Sequence, residues 1–194
     1  MRSRRAPVGA RPAREWRWLP ALLPALAMAA CSLWPGHDAG TPFAPLAPAT
    51  FGGSLRVEQI LTLSAGERST TLQTYVEVTP QKVAVVGATA LGQRVLSFTS
   101  DADGVHVEAA AGGIDPRQVL TDLQLAMWPL AALQAAVSGS DWHISEPKPG
   151  LRRVLRGDEP FAEVHYSGKP ACGRIWLVNF PYRYTLDLQS HPLP

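Results

Sequence analysis

The chain has 194 residues and a formal net charge of +2, and that small surplus is unevenly spread. Residues 1–30 hold six arginines against one glutamate, a local charge of +5, which leaves −3 for everything after Ala30. A domain of that sign lacks the basic face that nucleic-acid binding requires, and with two cysteines in the whole chain no internal disulfide framework is expected.

The first element reads as an export signal. Arg2, Arg4, Arg5, Arg11, Arg14 and Arg17 precede the apolar run Leu19–Ala30, and a basic stretch, a short apolar stretch and small residues at a cut site are the order of a secretory signal peptide. The run is shorter than the roughly twenty residues of a transmembrane helix. Met28-Ala29-Ala30-Cys31-Ser32 resembles a bacterial lipobox, with Met28 where Leu is usual. Cys31 is therefore expected to become the lipidated first residue once 1–30 are removed. Each buried acyl methylene contributes about 0.8 kcal/mol, and stable anchoring takes more than one chain, so a triacylated Cys31 would hold the domain on a membrane surface. Ser32, rather than Asp, is the residue expected of outer-membrane cargo, which favours the periplasmic face of the outer membrane over the alternative, the inner membrane.

Residues 31–50 are rich in Pro, Ala and Gly. Such a composition buries little apolar surface and favours an extended chain; the segment is expected to be a spacer, with one folded domain over 51–194. From Ser54 the hydrophobic period is two. Leu55, Val57, Leu61 and Leu63 alternate with Arg56, Glu58 and Thr62, then Leu72, Thr74, Val76 and Val78 with Gln73, Tyr75 and Glu77. These are half-buried strands, with a turn at Thr79-Pro80-Gln81. Lys82–Val86, Gln93–Thr99 and Val105–Ala109 read as three more. Short turns between clean alternations indicate an antiparallel meander with one wet face.

The period changes between Asp115 and Ser138. Asp115 is placed as an N-cap with Pro116 in the first helical position, and Val119, Leu123, Ala126, Met127, Leu130, Leu133 and Val137 recur at helical spacing. Pro129 interrupts the pattern, because an interior proline removes a backbone donor and clashes one turn back. Two helices meeting at Met127-Trp128-Pro129 are expected, ending near Gly139. Within the first, Asp122 and Gln124 flank Leu123, and a solvated edge is the default for them.

Strand signals resume at Trp142–Ser145, Arg152–Arg156 and Ala162–Tyr166. In the last run, Arg174–Gln189, the residues Trp176, Val178, Phe180, Tyr182, Tyr184, Leu186 and Leu188 share one parity, so they are expected on one aromatic face, with Pro181 as a bend. Strands, a helical pair and more strands make an α+β domain: a strongly curved antiparallel sheet, an incomplete barrel, covered by a Pro-interrupted helical pair. Its concave face holds either a packed core or a lipid-sized cavity.

Two blocks, Val86-Gly-Ala-Thr-Ala-Leu-Gly-Gln-Arg-Val-Leu96 and Leu120-Thr-Asp-Leu-Gln-Leu-Ala-Met-Trp-Pro-Leu130, resemble a family of short bacterial lipoproteins of undetermined function, and the resemblance extends over most of residues 51 to 190. Members are often encoded beside aryl-polyene lipid biosynthesis genes, and their fold is similar to that of LolA and LolB, the periplasmic lipoprotein carrier and its outer-membrane receptor. The resemblance implies handling of an acylated or polyene-bearing lipid and contact with the lipoprotein-sorting machinery; it brings no catalytic residues. Read from the residues themselves, Gly87 and Gly92 supply positive-φ turn positions, and Leu91 between them is either a loop residue or an exposed apolar finger for membrane or cargo insertion. Trp128 is either core or ligand platform.

Catalytic patterns are missing. There is no Gly-x-Ser-x-Gly elbow, and the five histidines have no short ligand spacing, so no metal or other cofactor is expected. Asp101-Ala-Asp-Gly104 opens like a calcium loop, lacks the later ligands, and reads as a hairpin turn. Cys172 falls in a turn-like Gly168–Gly173. The expected function is therefore non-enzymatic: an outer-membrane lipoprotein that binds or relays a lipid, acyl or lipoprotein amphiphile. Its candidate cavity residues are Leu72, Val76, Leu96, Phe98, Met127, Trp128, Trp176, Phe180, Tyr182 and Tyr184. The alternative is a scaffolding lipoprotein with a filled core, working through an envelope protein partner.

Overall fold

A computed structural model describes residues 40–193; Cys31, the signal segment and the first part of the expected spacer lie outside the described residues. The first meander consists of β1 (Leu55–Ala65), β2 (Arg68–Val78), β3 (Val83–Ala88), β4 (Arg94–Asp101) and β5 (Gly104–Ala110). Two helices follow, α1 (Pro116–Met127) and α2 (Leu130–Ala136), and then β6 (Trp142–Lys148), β7 (Leu151–Arg156), β8 (Glu159–Lys169), β9 (Cys172–Asn179) and β10 (Tyr184–Pro192).

All ten strands form one antiparallel sheet in the order β5-β4-β3-β2-β1-β10-β9-β8-β7-β6. The sheet does not close: β5 and β6 are its edges, and β1 and β10 join the two meanders at its centre. This order dictates where the helices go. The α1–α2 segment leaves one edge and returns at the other, so it crosses a face of the sheet. That inner face and the helices share a single core, which draws residues from strands at both ends of the sheet, including Phe98, Leu120, Trp128, Val154 and Ile175. A sheet curving about its helices has this consequence.

Alternation explains most of the burial. In β2, Leu72, Thr74, Val76 and Val78 face in while Gln73, Tyr75 and Glu77 face out or toward the edge of the core. The turn at Asp101–Gly104 is a hairpin, with the Asp101 carboxylate accepting from the Asp103 amide at 2.9 Å. Asp115 caps α1, accepting from the Arg117 amide at 2.9 Å, and the helix breaks at Pro129 as its missing donor requires.

The aromatic face expected for Arg174–Gln189 does not form. A four-residue turn, 180–183, with Arg183 at φ 54° and Pro181 within it, joins β9 to β10. Directly opposed residues in an antiparallel pair share a face. Here Asn179 opposes Tyr184, Leu177 opposes Leu186 and Ile175 opposes Leu188, so odd positions of β9 face in with even positions of β10. An even-numbered turn inverts parity, and Trp176 points away from the core, 43% exposed.

The spacer also ends earlier than its composition suggests. Phe43 and Pro48 are buried, and Leu46 and Phe51 pack against the core. The buried side-chain amide of Gln124 accepts from the Leu46 N–H at 3.1 Å and donates to the Leu46 carbonyl at 3.0 Å, pairing with that residue as a neighbouring strand would. Trp128 donates its indole N–H to the Thr50 hydroxyl at 2.9 Å and meets Phe51 edge-on at 5.1 Å. Two apolar anchors and a two-bond clamp dock a Pro/Ala-rich segment, so the packed domain begins near Phe43 rather than Phe51.

Candidate functional site

The core is incomplete on one side of α1. Between that helix and strands β1–β4 lies a cavity of about 250 Å³. Leu61 and Leu63 of β1, Leu72 and Val76 of β2, Val85 of β3 and Leu96 of β4 form the sheet side, with Leu177, Leu186 and Leu188 from β9 and β10. Val119, Leu123 and Ala126 close it from the helix. The wall also includes exposed Ala111 and Gly112 of the β5–α1 loop and fully buried Gln59, Asp122 and Leu177. Gly87 of β3 packs beside this wall. A side chain there would meet Leu96, Thr74 and Leu72 at 3.4–3.8 Å, all of them wall residues. Gly87 therefore lies within β3 at ordinary contact distance from its neighbours and not at a positive-φ position, whereas Gly92, at φ 77°, supplies the turn.

Gln59 and Asp122 stand in the wall together with Thr70, Thr74 and Thr89, though almost all of the surface facing the cavity is apolar. Gln59 sits on the inward parity of β1, and its amide donates to the Ser190 hydroxyl at 2.8 Å. Asp122, 2% exposed, accepts from the Gln118 amide at 3.1 Å and from the Tyr184 hydroxyl. The Tyr184 oxygen in turn accepts from the Gln118 and Asn179 amides, each at 3.2 Å. Burial pushes the Asp122 carboxyl up to about 7, against the opposing pull of hydrogen bonds from Tyr184, Gln118 and Asn179. Burial, with the nearby Asp122 charge, also drives the Tyr184 phenol well above its ordinary range, so it remains a neutral donor.

Of the residues expected to form the cavity, Leu72, Val76 and Leu96 line it. Phe98, Met127, Trp128, Tyr182 and Tyr184 are buried in the same core without lining it, although Tyr184 bonds to the wall residue Asp122. Trp176 and Phe180 are exposed outside it, the second at 42% in the β9–β10 turn. Leu91 is 97% exposed. It stands at the tip of the β3–β4 turn, which is pinned by Gly92 N–H donating to the Thr89 carbonyl at 2.8 Å and Thr89 N–H donating to the Gln93 carbonyl at 2.9 Å. Thr89 itself lines the cavity, so the exposed leucine stands two residues from the wall. Cys31 lies outside the described residues; Cys172 is exposed at the start of β9.

Sequence reasoning passed over Gln59 and placed Asp122 and Gln124 at a solvated edge, and both of the latter are buried. The signals were present. Val119, Asp122, Leu123 and Ala126 stand at i, i+3, i+4 and i+7, the spacing of one helix face, and Gln59 shares parity with Val57 and Leu61. Among the described residues, no group of three or more His, Cys, Asp or Glu is placed to hold a metal, and no helix is long and apolar enough to cross a membrane.

Residues 56–192 match the family described as a protein of unknown function, DUF3261. The chain belongs to that family. No curated protein matches the chain. The matched span includes every strand and helix that walls the cavity, so the family's shared domain contains the whole site.

Proposed function

We propose that this DUF3261 protein is a non-enzymatic lipoprotein of the outer membrane, anchored through Cys31 on the periplasmic face, that binds or relays a lipid or acyl amphiphile. In this reading the sheet is an incomplete barrel of the LolA and LolB kind, and the helices cover its concave face. The observation that carries the reading is the apolar cavity between α1 and β1–β4. Close packing is the norm for protein interiors, and a large void costs stability in proportion to its volume, so a cavity of this size without an occupant is a burden on the fold. Concave apolar pockets with a few convergent polar groups are where small molecules bind. The exposed Leu91 beside the cavity supplies an apolar contact for a membrane or for an arriving cargo.

A scaffolding role requires a filled core, and the cavity weighs against it. Native mass spectrometry of the protein released gently from cell envelopes tests the reading. A co-purifying amphiphile of defined mass, lost when Leu72→Trp fills the cavity, is the expected result. An empty protein that also takes up no alkyl probe would end it.

A further inference from the structure

The strand order gathers several separate features at one end of the sheet. In an antiparallel meander alternate turns fall at the same end, so the β1–β2 turn (66–67), the β3–β4 turn (89–93) and the β5–α1 loop (111–115) share a rim. Ala65 opposes Tyr184, which adds the β9–β10 turn (180–183), and Ala162 opposes Asn179, which adds the β7–β8 turn (157–158). The cavity wall reaches this rim through Thr89 of the β3–β4 turn and exposed Ala111 and Gly112 of the loop. Gly40 is at the same rim: a side chain there would begin 4.0 Å from the guanidinium of Arg156, the last residue of β7.

The rim is apolar and cationic where the cavity meets it. Exposed Leu91 tips the β3–β4 turn and exposed Phe180 opens the β9–β10 turn. Exposed Arg68 starts β2, exposed Arg94 starts β4, and exposed Arg183 lies in the β9–β10 turn, with Arg117 following in the first turn of α1. Among the described residues no acid pairs with any of these four, whereas Arg56, Arg153 and Arg174 on the strands all hold carboxylate partners. The acids of this part of the rim are Glu67 and Asp115, and Asp115 is engaged in capping α1. Asp158 and Glu159 make the β7–β8 turn acidic. The opposite end has cations in Lys148 and Lys169, but its turns, 79–82, 102–103, 149–150 and 170–171, carry no exposed large apolar side chain, and Leu193 beyond β10 is half-buried.

We propose that this rim is the surface by which the domain lies on a bilayer containing anionic lipid, with Leu91 and Phe180 entering the headgroup region and Arg68, Arg94 and Arg183 on lipid phosphates. This rests on the anchored-lipoprotein reading above for its tether, and does not depend on the cavity's guest. Nine residues separate Cys31 from Gly40, a reach of about 30 Å at full extension, so an anchor at Cys31 keeps this end of the domain near the bilayer. Exposed apolar side chains flanked by basic ones make an interfacial surface, and each arginine beside an anionic surface strengthens the contact about fivefold. The chain after Ala30 is acidic overall, at −3, so the attraction is local to this rim. The acidic β7–β8 turn is repelled, and the domain tilts so that turns 66–67 and 89–93 lie deeper than 157–158. In that pose the Ala111–Gly112 part of the cavity wall faces the lipid.

The test uses the full chain in nanodiscs of phosphatidylcholine, alone or with about one-third phosphatidylglycerol, each carrying a trace of gadolinium-chelating lipid. Paramagnetic relaxation of backbone amides then reports nearness to the bilayer surface. In anionic discs the expected order is Glu67, Leu91 and Arg94 most relaxed, Asp158 less, and Asp103, Lys148 and Lys169 least. The triple variant Arg68→Gln, Arg94→Gln, Arg183→Gln changes exposed side chains without ion-pair partners among the described residues, so the fold is retained. Its rim contact should weaken on the order of 100-fold, and its relaxation pattern should fall back to that in phosphatidylcholine alone. Relaxation spread evenly over both ends, or strongest at Lys148 and Lys169, would overturn the orientation. A pattern unchanged by lipid charge and by the triple variant would overturn the arginine contacts. Neither result touches the carrier reading, which fails separately if native mass spectrometry finds no amphiphile and no alkyl probe is taken up.

Discussion

Arg152 gives the Leu125 carbonyl the hydrogen bond that Pro129 cannot. In an uninterrupted helix Leu125 would accept from the amide four residues on, and that residue is a proline. The guanidinium of Arg152, nearly buried, reaches from β7 and donates to the Leu125 carbonyl at 2.6 Å and the Trp128 carbonyl at 3.0 Å. Tyr166 of β8 donates to the next carbonyl, that of Ala126, at 2.9 Å. Glu146 accepts from Arg152 at 2.8 Å, and the guanidinium lies 5.6 Å from the Tyr166 ring centre. A positive group at a helix C-terminus also answers the helix dipole. The proline break in the sequence and the buried arginine in a distant strand are therefore one feature, and it fixes α1 over the cavity.

Replacing Arg152 by methionine keeps the volume and removes every donor. Leaving buried carbonyls unsatisfied costs about 1–3 kcal/mol each, with bonds to charged groups at the upper end, so Arg152→Met should lower stability by about 3 kcal/mol in urea unfolding. Arg152→Lys should recover only part of this, because an ammonium lacks the planar fork. A loss within 0.5 kcal/mol would show that water serves these carbonyls equally well.

Stability should depend on pH through Asp122, with the opposite sign to most carboxylates. Its folded-state pKa is raised from 3.8 to about 7 by burial, so between these values the folded state binds more protons than the unfolded one. Stability is then greatest at the acid end and falls as pH rises toward 7 and a little beyond. Between pH 5 and pH 8 the expected loss from this group is about 3 kcal/mol. The exposed Asp187–Arg174 and Glu163–Arg153 pairs, whose carboxyls are held below their ordinary range, are for the most part ionised in both the folded and the unfolded chain between pH 5 and pH 8 and do not offset it. Urea midpoints of wild type and Asp122→Asn across this range should diverge, the variant being the flatter. Parallel curves would mean that the carboxyl is ionised throughout.

The sheet, the helix start at Asp115-Pro116 and the break at Pro129 were legible because each rests on local rules, namely period, capping and a missing donor. The cavity wall was legible in part. Leu72 and Val76 follow from strand alternation, which a single strand suffices to show. Trp176 and Phe180 were misplaced because facing depends on how many residues form the β9–β10 turn, and one change of that number inverts every side chain beyond it. Asp122 was missed for another reason. Its position matched the buried face, but burying a carboxyl is costly unless distant groups satisfy it, and Tyr184 and Asn179 lie about sixty residues away in sequence. The docking of residues 43–51 depends on Gln124, which composition cannot pair with Leu46.

Gln124→Ala should release that docked segment without unfolding the sheet. Two bonds to the Leu46 backbone are lost, and the Trp128–Thr50 contact remains as the second hold. Global stability should fall by about 1–2 kcal/mol, while hydrogen exchange at the Leu46 amide accelerates far more than at strand amides of β1 and β10. Uniform acceleration across both would show that the segment and the sheet open as one unit.

Gly87 and Leu91 separate holding a guest from passing it on. Gly87→Val places a β-branched side chain, suited to a strand, against Leu72, Thr74 and Leu96. It should cut the affinity for an octyl probe about tenfold or more by occupying the space where the chain lies. Leu91→Asp alters a residue with almost no packing contacts, so stability should change by less than about 0.5 kcal/mol, and probe affinity should be unchanged. Transfer of a bound fluorescent amphiphile to vesicles, measured by dequenching, should slow in Leu91→Asp if the exposed leucine enters the bilayer surface. Trp176→Ser, on the outer face, serves as the control and should alter neither quantity. Normal transfer in Leu91→Asp, with affinity lost in Gly87→Val, would leave a binding protein whose guest exchanges through solution, and the finger would have no part in it.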